Sequence, residues 1–302
     1  MSACHHQHTH NHQPVGGYNH VFMIAVIANG AFVILQIIYS YLAHSTGLLA
    51  DAIHNLGDVL GLILAWIGNS LLKTRPTAKT SYGMKKISIL AALANGILLV
   101  FSCGMIVTEA LYNLITPKAI DAVAVMIVAG IGIFVNGGTA VLFLCGKNDL
   151  NLRAAYLHLV SDALISVGVV IAAAVVFYTG WLRIDPIIGL IIAIVILKGT
   201  WSLFVDSFCL LIDSVPKSIS LAAVQDLLLQ EPGVTQVHDL HIWALSTQEN
   251  ALSVHLLMPK IVFTDLARQQ LIEKLKNKYN ISHVTIQIEN DMAFCNDACM
   301  IS

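Results

Sequence analysis

Long apolar stretches are the feature of this sequence that most constrains its fold. Each is close to the roughly 20 residues that a helix needs to cross the hydrocarbon core of a lipid bilayer. Apolar residues make up 57% of the 302 and charged residues only 11%, whereas about a quarter of the residues in a soluble domain are charged. We therefore expect an integral membrane protein, a membrane all-α bundle of six transmembrane helices at residues 21–43, 48–72, 87–114, 121–146, 151–179 and 185–212.

Two of the apolar stretches carry the same pair of ionisable residues. His54 and Asp58 lie in the second stretch, and His158 and Asp162 lie in the fifth. Residues four apart share one face of a helix, and ionisable groups inside membrane spans are costly and usually functional. Two imidazoles and two carboxylates match the four ligands of tetrahedral Zn²⁺. The alternative is that these groups only bridge membrane helices, but two identical pairs favour a metal site at mid-membrane.

The ligand types limit the choice of ion. Imidazole and carboxylate suit Zn²⁺, and Cd²⁺ or Co²⁺ could compete. Because protons compete with metal for neutral imidazole and histidine titrates near neutral pH, His54 and His158 are the expected proton carriers, with Asp58 and Asp162 holding the charge balance. Asp51, one turn before His54, either orients His54 by a hydrogen bond or lies at the outer mouth of the path.

The distribution of Lys and Arg predicts the orientation in the membrane. The loops after the second and fourth stretches are basic, whereas the opposite side has only Lys118 and Arg183. Short loops rich in Lys and Arg face the cytoplasm, so with six spans both termini are expected there. The short loops favour a bacterial inner membrane. The basic residues of the expected cytoplasmic loops are Lys73, Arg75, Lys79, Lys85, Lys86, Lys147 and Arg153.

The chain begins with a histidine-rich segment that has no apolar pattern. Residues 1–20 hold six of the thirteen histidines, which predicts a disordered cytoplasmic N-terminus that binds metal loosely; an expression tag is the alternative. The expected domains are this segment, a transmembrane domain at 21–212 and a cytoplasmic metal-binding and dimerisation domain at 213–302 with a cysteine-containing tail.

Residues 213–302 predict a small α+β domain. Ser218 is a candidate cap for an amphipathic helix that Glu231-Pro232-Gly233 ends. A second helix has Asp265 near its start and lysines near its end, which suits the helix dipole. The order α-β-β-α-β is typical of helices packed on one face of a sheet. The expected elements are helices at 218–230 and 264–279 and strands at 234–244, 251–258 and 283–288.

Motifs that would indicate an enzyme are absent from the sequence. There is no His-Glu-x-x-His motif of a zinc protease and no Gly-rich phosphate-binding loop. We expect neither an enzymatic activity nor an ATP-driven cycle, and no nucleic-acid partner.

Several motifs resemble the cation diffusion facilitator family, in particular the zinc transporters of bacterial cobalt-zinc-cadmium resistance and of animal vesicles. The resemblance implies a homodimer that exports Zn²⁺ from the cytoplasm in exchange for protons. A membrane metal sensor that binds Zn²⁺ without net flux is the alternative function. Besides the two His-x-x-x-Asp pairs, the motifs are Ser45-Thr46-Gly47-Leu48-Leu49-Ala50-Asp51-Ala52-Ile53-His54, Ser81-Tyr82-Gly83 and His238-Asp239-Leu240-His241-Ile242-Trp243.

The resemblance also implies metal in the C-terminal domain. His255 and Glu289 match ligands of the family, and His238 is a further candidate. The animal vesicular members end with a cysteine pair and carry a Cys/His cluster near the N-terminus, so Cys295 and Cys299, together with Cys4, His5 and His6, are expected ligands. Residues 73–80 contain no His, Asp or Glu, so the additional zinc site that some bacterial members have in this loop is expected to be absent.

Overall fold

The computed structural model describes residues 19–72, 74–143, 150–259 and 263–291. Long helices occupy the first part of the chain, as expected for continuous apolar stretches that must satisfy their own backbone hydrogen bonds in lipid. They are α1 (Asn19–Leu42), α2 (Thr46–Leu72), α3 (Ile87–Ile115), α4 (Ala122–Phe143), α5 (Leu150–Thr179) and α6 (Ile184–Leu211).

Four of these helices contain described segments that are long and apolar enough to cross a membrane: Ile87–Ile115, Ala122–Val141, Leu159–Thr179 and Ile184–Leu211. Large apolar side chains on them face outward, such as Phe134 and Tyr178, which are 81% and 83% exposed. This confirms a helical membrane domain. The described apolar part of α1, Asn29–Leu42, is shorter, and the prediction that α1 and α2 complete a set of six spans stays a prediction.

The chain divides into two compact units, and the first comprises Met1–Val59 and Ile106–Ile192. In this unit α1 packs on α4, and α4 packs on α5. Some of the fully buried side chains on these helices are small, for example Ala129 on α4 and Ala173 on α5. Small side chains allow membrane helices to approach closely, and this is how they associate in lipid.

The N-terminus of α2 is held by a buried carboxylate from the first turn of α6. Oδ1 of Asp185 accepts a hydrogen bond from Oγ of Ser45 at 2.5 Å, and Oδ2 accepts from the backbone N–H groups of Thr46 at 2.7 Å and Gly47 at 3.3 Å. Nδ2 of Asn113 donates to Oγ1 of Thr46 at 2.8 Å. A carboxylate satisfies the free N–H groups of a helix start and complements its dipole. These contacts anchor the end of α2 that precedes His54.

The second unit comprises Leu60–Met105 and Ala193–Ser302 and contains the C-terminal domain. Its elements are α7 (Leu221–Leu229), β1 (Gln236–Ala244), β2 (Asn250–Leu257), α8 (Asp265–Tyr279) and β3 (Ile281–Glu289), which confirms the predicted small α/β domain. The sheet order is β1-β2-β3, with β1 antiparallel and β3 parallel to the central β2. One apolar core joins both helices to the sheet, including Leu228, Leu252 and Leu271.

The start of α7 differs from the prediction. Ser220 caps the helix by accepting a hydrogen bond from the N–H of Ala223, so the assignment of Ser218 as the cap is wrong. The reason is a preceding turn in which Ile219 N–H donates to the carbonyl of Pro216 at 2.9 Å. The chain becomes helical only after this turn. At α8, Asp265 in the first turn and Lys276 and Lys278 in the last turn complement the helix dipole as expected.

Within the second unit, the segment before α3 is tied to the C-terminal domain. Nζ of Lys85 lies 2.5 Å from Oε2 of Glu249, and Nζ of Lys86 lies 2.7 Å from Oδ1 of Asp213. The N–H of Thr247 donates to Oγ of Ser88 at 3.1 Å. The ring of Tyr82, from the Ser81-Tyr82-Gly83 motif, meets His283 edge to face at 5.2 Å between centroids.

Candidate metal centres

Ionisable side chains from two helices meet in the first unit. His54 and Asp58 come from α2, and Asp162 comes from α5. Nε2 of His54 is 3.1 Å from Oδ1 of Asp162 and 3.8 Å from Oδ2 of Asp58. One ligand atom of each residue lies within 4.8 Å of the other two. The structure therefore brings three of the four predicted ligands together in what we call the membrane site.

The fourth predicted ligand, His158, lies on α5 one turn before Asp162, but its side chain lies outside the described residues. Exposure within the membrane site rises from 4% at Asp162 through 17% at His54 to 31% at Asp58. The Asp162 side of the site is thus closed, and the Asp58 side is the more open.

Asp51 lies one turn from His54 but inside the protein. Its side chain is fully buried, which argues against an exposed acid at the mouth of a path. Oδ2 of Asp51 accepts hydrogen bonds from Nε2 of Gln36 at 2.8 Å and from Oγ of Ser166 at 3.0 Å. Sequence reasoning missed Gln36 and Ser166. The available signals were an amide inside the apolar α1 and a serine four residues after Asp162.

A second cluster, here called the tail site, lies on the sheet of the C-terminal domain. Nε2 of His238 is 3.0 Å from Oε2 of Glu289, and Nδ1 of His255 is 3.0 Å from Oε1 of the same carboxylate. One ligand atom of each residue lies within 4.8 Å of the other two. Zn²⁺ accepts imidazole nitrogen and carboxylate oxygen, so His238, His255 and Glu289 fit a resident zinc ion.

The register of the sheet explains how these three residues meet. His238 on β1 pairs directly with His255 on β2, so their side chains lie on the same face. Glu289 ends β3 and pairs with Leu257, two residues beyond His255. Because side chains alternate between faces along a strand, Glu289 shares the face of His255.

A bulge in β1 adds a further polar contact beside the tail site. The pairing shifts between His238 and His241, and Asp239 has a φ of 49°, in the left-handed region. Its carboxylate lies 2.8 Å from Nε2 of His241 and 3.4 Å from Nε2 of His255. The bulge therefore turns Asp239 toward both histidines and orients the ring of His255.

The remaining predicted tail ligands are two cysteines near the C-terminus and the Cys/His cluster near the N-terminus. Cys4, His5, His6, Cys295 and Cys299 lie outside the described residues. Gln287 is the residue of β3 that pairs directly with His255.

Comparisons with known proteins match this chain to two family profiles. Residues 22–212 match the cation efflux transmembrane domain, and residues 216–291 match the cation efflux protein, cytoplasmic domain.

Curated relatives extend over almost the whole chain. It is 34% identical to the metal cation efflux system protein CzcD of Cupriavidus metallidurans, over 96% of this chain and 92% of that protein. It is 32% identical to the cadmium, cobalt and zinc/H(+)-K(+) antiporter of Bacillus subtilis, over 93% of this chain and 92% of that protein. A solved structure of the metal-bound C-terminal domain of the CzcD transporter from C. metallidurans shares 40% identity over 24% of this chain and 99% of that chain, with a TM-score of 0.22.

Proposed function

Because this chain belongs to the cation efflux family, a family of integral membrane transporters, we propose that it is a secondary active transporter that exports Zn²⁺ from the cytoplasm by proton antiport. The transported ion binds His54, Asp58, His158 and Asp162, the site is exposed to the two sides of the membrane in turn, and the protein works as a homodimer.

One observation carries this proposal: the spacing of ligand atoms in the membrane site. Ligand atoms about 2.0–2.1 Å from a tetrahedral zinc ion are about 3.4 Å from one another. The two distances from Nε2 of His54, 3.1 Å to Asp162 and 3.8 Å to Asp58, bracket that value. An ion needs only small side-chain shifts to bind here, and α2 and α5 both contribute to its coordination.

The same side chains provide the exchange with protons. Zn²⁺ binds neutral imidazole, and protons compete with it for the same nitrogen. When the ion leaves, protons on His54 and His158 replace its two positive charges and balance the two carboxylates, and a protonated His54 keeps a partner in Asp162, 3.1 Å away. Since histidine titrates near neutral pH, an acidic outer side promotes release of metal and the cytoplasmic side promotes its binding.

Ion preference follows from the donor set and is supported by a relative. Imidazole and carboxylate suit Zn²⁺, with Cd²⁺ and Co²⁺ as competing ions. The B. subtilis relative is named for cadmium, cobalt and zinc and for H⁺ and K⁺.

The proposal extends to organisation and location. The protein lies in a bacterial inner membrane, with six spans within residues 21–212. The segment 1–20 and the domain 213–302 are both in the cytoplasm. His238, His255 and Glu289 would hold a resident Zn²⁺ that stabilises the C-terminal domain. Cys295 and Cys299, with Cys4, His5 and His6, complete the proposed metal-binding residues.

Zinc uptake into inverted membrane vesicles tests the proposed transport site. Acidifying the vesicle interior should drive Zn²⁺ uptake by the unaltered protein, and Asp162→Ala or His158→Ala should abolish it at equal protein level. Asp121→Ala, which removes an exposed acid outside the site, is the matched control and should transport normally. Near-normal uptake by Asp162→Ala would contradict the proposal.

A further inference from the structure

A buried polar cluster of four residues lies beside the membrane site. Asp51 and Asn55 on α2, Gln36 on α1 and Ser166 on α5 form what we call the Asp51 cluster. Three of these side chains are fully buried, and Asn55 is 7% exposed. Hydrogen bonds in a buried network act at low local dielectric, and ionisable groups inside apolar helices are usually functional.

The hydrogen bonds of the cluster join three helices. Nε2 of Gln36 donates to Oδ2 of Asp51 at 2.8 Å, and Oγ of Ser166 donates to the same oxygen at 3.0 Å. Nδ2 of Asn55 donates to Oε1 of Gln36 at 3.0 Å. The amide of Gln36 therefore uses both its ends on two residues of α2 that are one turn apart, which fixes the rotation of α2 relative to α1.

The contact between Asp51 and Ser166 is aligned with a contact of the membrane site. On α2, Asp51 lies three residues before His54, and on α5, Ser166 lies four residues after Asp162. Residues three and four apart share one helix face. Asp51 meets Ser166 one turn away from the point where His54 meets Asp162. Two successive contacts of this kind fix how far α2 can slide along α5.

Helix α4 closes the cluster from another side. A Cβ atom added to Gly132 would lie 3.1 Å from Oγ of Ser166 and 2.8 Å from Cζ of Phe32. The absence of a side chain at Gly132 thus lets α4 pack directly against the hydroxyl of Ser166. Because the side chains of Gln36, Asp51 and Ser166 are fully buried, the hydrogen bonds to Asp51 act at low local dielectric, where each is stronger than in water.

We propose that Asp51, Gln36 and Ser166 are positioning residues that fix the register of α2 against α5, and so set the distance between the metal ligands His54 and Asp162. The inference rests on the proposed zinc transport. It also resolves the role of Asp51: its carboxylate acts through helix position, with its hydrogen bonds directed to α1 and α5.

Ion discrimination is the expected consequence. Zn²⁺ needs ligand distances near 2.0–2.2 Å, whereas the larger Cd²⁺ tolerates a wider site. If the Asp51 cluster holds the ligands close, loosening it should weaken transport of Zn²⁺ more than transport of Cd²⁺. A residue that merely supports folding would lower transport of both ions in parallel.

The test is steady-state transport by the full chain in proteoliposomes, with KM and maximal rate measured separately for Zn²⁺ and Cd²⁺. Ser166→Ala and Asp51→Ala are each expected to raise the KM for Zn²⁺ by about tenfold or more, the usual effect of losing a residue that orients metal ligands. The KM for Cd²⁺ should rise less. Both substitutions break the same contact, that between Asp51 and Ser166. The effect of the double variant on KM should therefore be smaller than the sum of the two single effects, expressed as free energies.

Ser40→Ala is the matched control. Like Ser166, Ser40 is a buried serine, but it lies on α1 and its hydroxyl donates to the carbonyl of Ile37 in the same helix, so the Zn²⁺-to-Cd²⁺ preference should not change. Ser166→Ala removes a single hydroxyl, so it carries the test if Asp51→Ala does not insert into membranes.

Wild-type KM values and an unchanged ion preference in Ser166→Ala would overturn the inference. So would a parallel fall in maximal rate for both ions with KM unchanged. If the unaltered protein moves no Zn²⁺ at all, the proposed function is contradicted instead. The unaltered protein is therefore measured first, in the same assay.

Discussion

The buried carboxylate at the start of α2 offers a sharp test of how this protein is stabilised. In Asp185→Ala, the backbone N–H groups of Thr46 and Gly47 lose the oxygen that accepts both of them. Asp185 is 1% exposed, so bulk water does not reach these N–H groups. The hydroxyl of Ser45 can rotate to another acceptor, so it does not add to the expected loss of stability.

The magnitude follows from the number of donors left without a partner. Each buried unsatisfied group costs about 1–3 kcal/mol, so two N–H groups cost about 4 kcal/mol of unfolding free energy. Asp185→Asn keeps one oxygen as acceptor and loses chiefly the interaction of a charge with the helix dipole, about 1 kcal/mol. With about 2 °C of Tm per kcal/mol for a chain of this size, the expected losses are about 8 °C and about 2 °C.

Thermal unfolding of the purified protein in detergent, followed by tryptophan fluorescence, provides the assay. Asp121→Ala is the control because Asp121 is an exposed carboxylate whose Oδ1 accepts from one N–H group, that of Ala124, at 3.0 Å. An exposed cap contributes about 1 kcal/mol. If Asp185→Ala lowers Tm no more than Asp121→Ala, the reasoning from burial and unsatisfied donors is refuted.

Two further perturbations follow from the second unit. Glu289→Gln removes the charge that faces His238 and His255 in the tail site. Metal analysis after gel filtration should find less zinc per chain in this variant than in the unaltered protein. Equal zinc content would contradict zinc binding at the tail site. Gly96→Ala places a Cβ 3.2 Å from Cα and Cβ of Phe204, so α3 and α6 must separate at a cost of about 1–2 kcal/mol. Gly104→Ala, whose added Cβ meets no atom within 4 Å among the described residues apart from the adjacent backbone, should leave Tm almost unchanged. Equal losses in the two variants would refute the packing argument.

Local periodicity made parts of this structure predictable from the sequence. The spacing of His54 and Asp58 places both on one face of α2 whatever α2 packs against, because a helix repeats every 3.6 residues. The C-terminal order α-β-β-α-β was predictable for the same reason, since alternation and helical spacing are local signals.

The contacts between elements were beyond such reasoning. That α2 lies beside α5, so that His54 meets Asp162, depends on how whole helices pack. The tail site depends on strand register, which the bulge at Asp239 shifts. Gln36 and Ser166 were visible as polar residues in apolar stretches, but the sequence contains no signal that both would meet Asp51.

Zinc flux driven by a pH gradient alone distinguishes a proton-coupled transporter from a metal sensor. Purified protein would be reconstituted into proteoliposomes with an acidic interior and no ATP, and Zn²⁺ entry would be followed with an internal fluorescent indicator. For proton antiport, Zn²⁺ entry should rise with the pH difference, stop when a proton ionophore collapses that difference, and be lost in Asp162→Ala. Zinc binding by the protein without any flux under the gradient would contradict proton antiport and would indicate a membrane metal sensor.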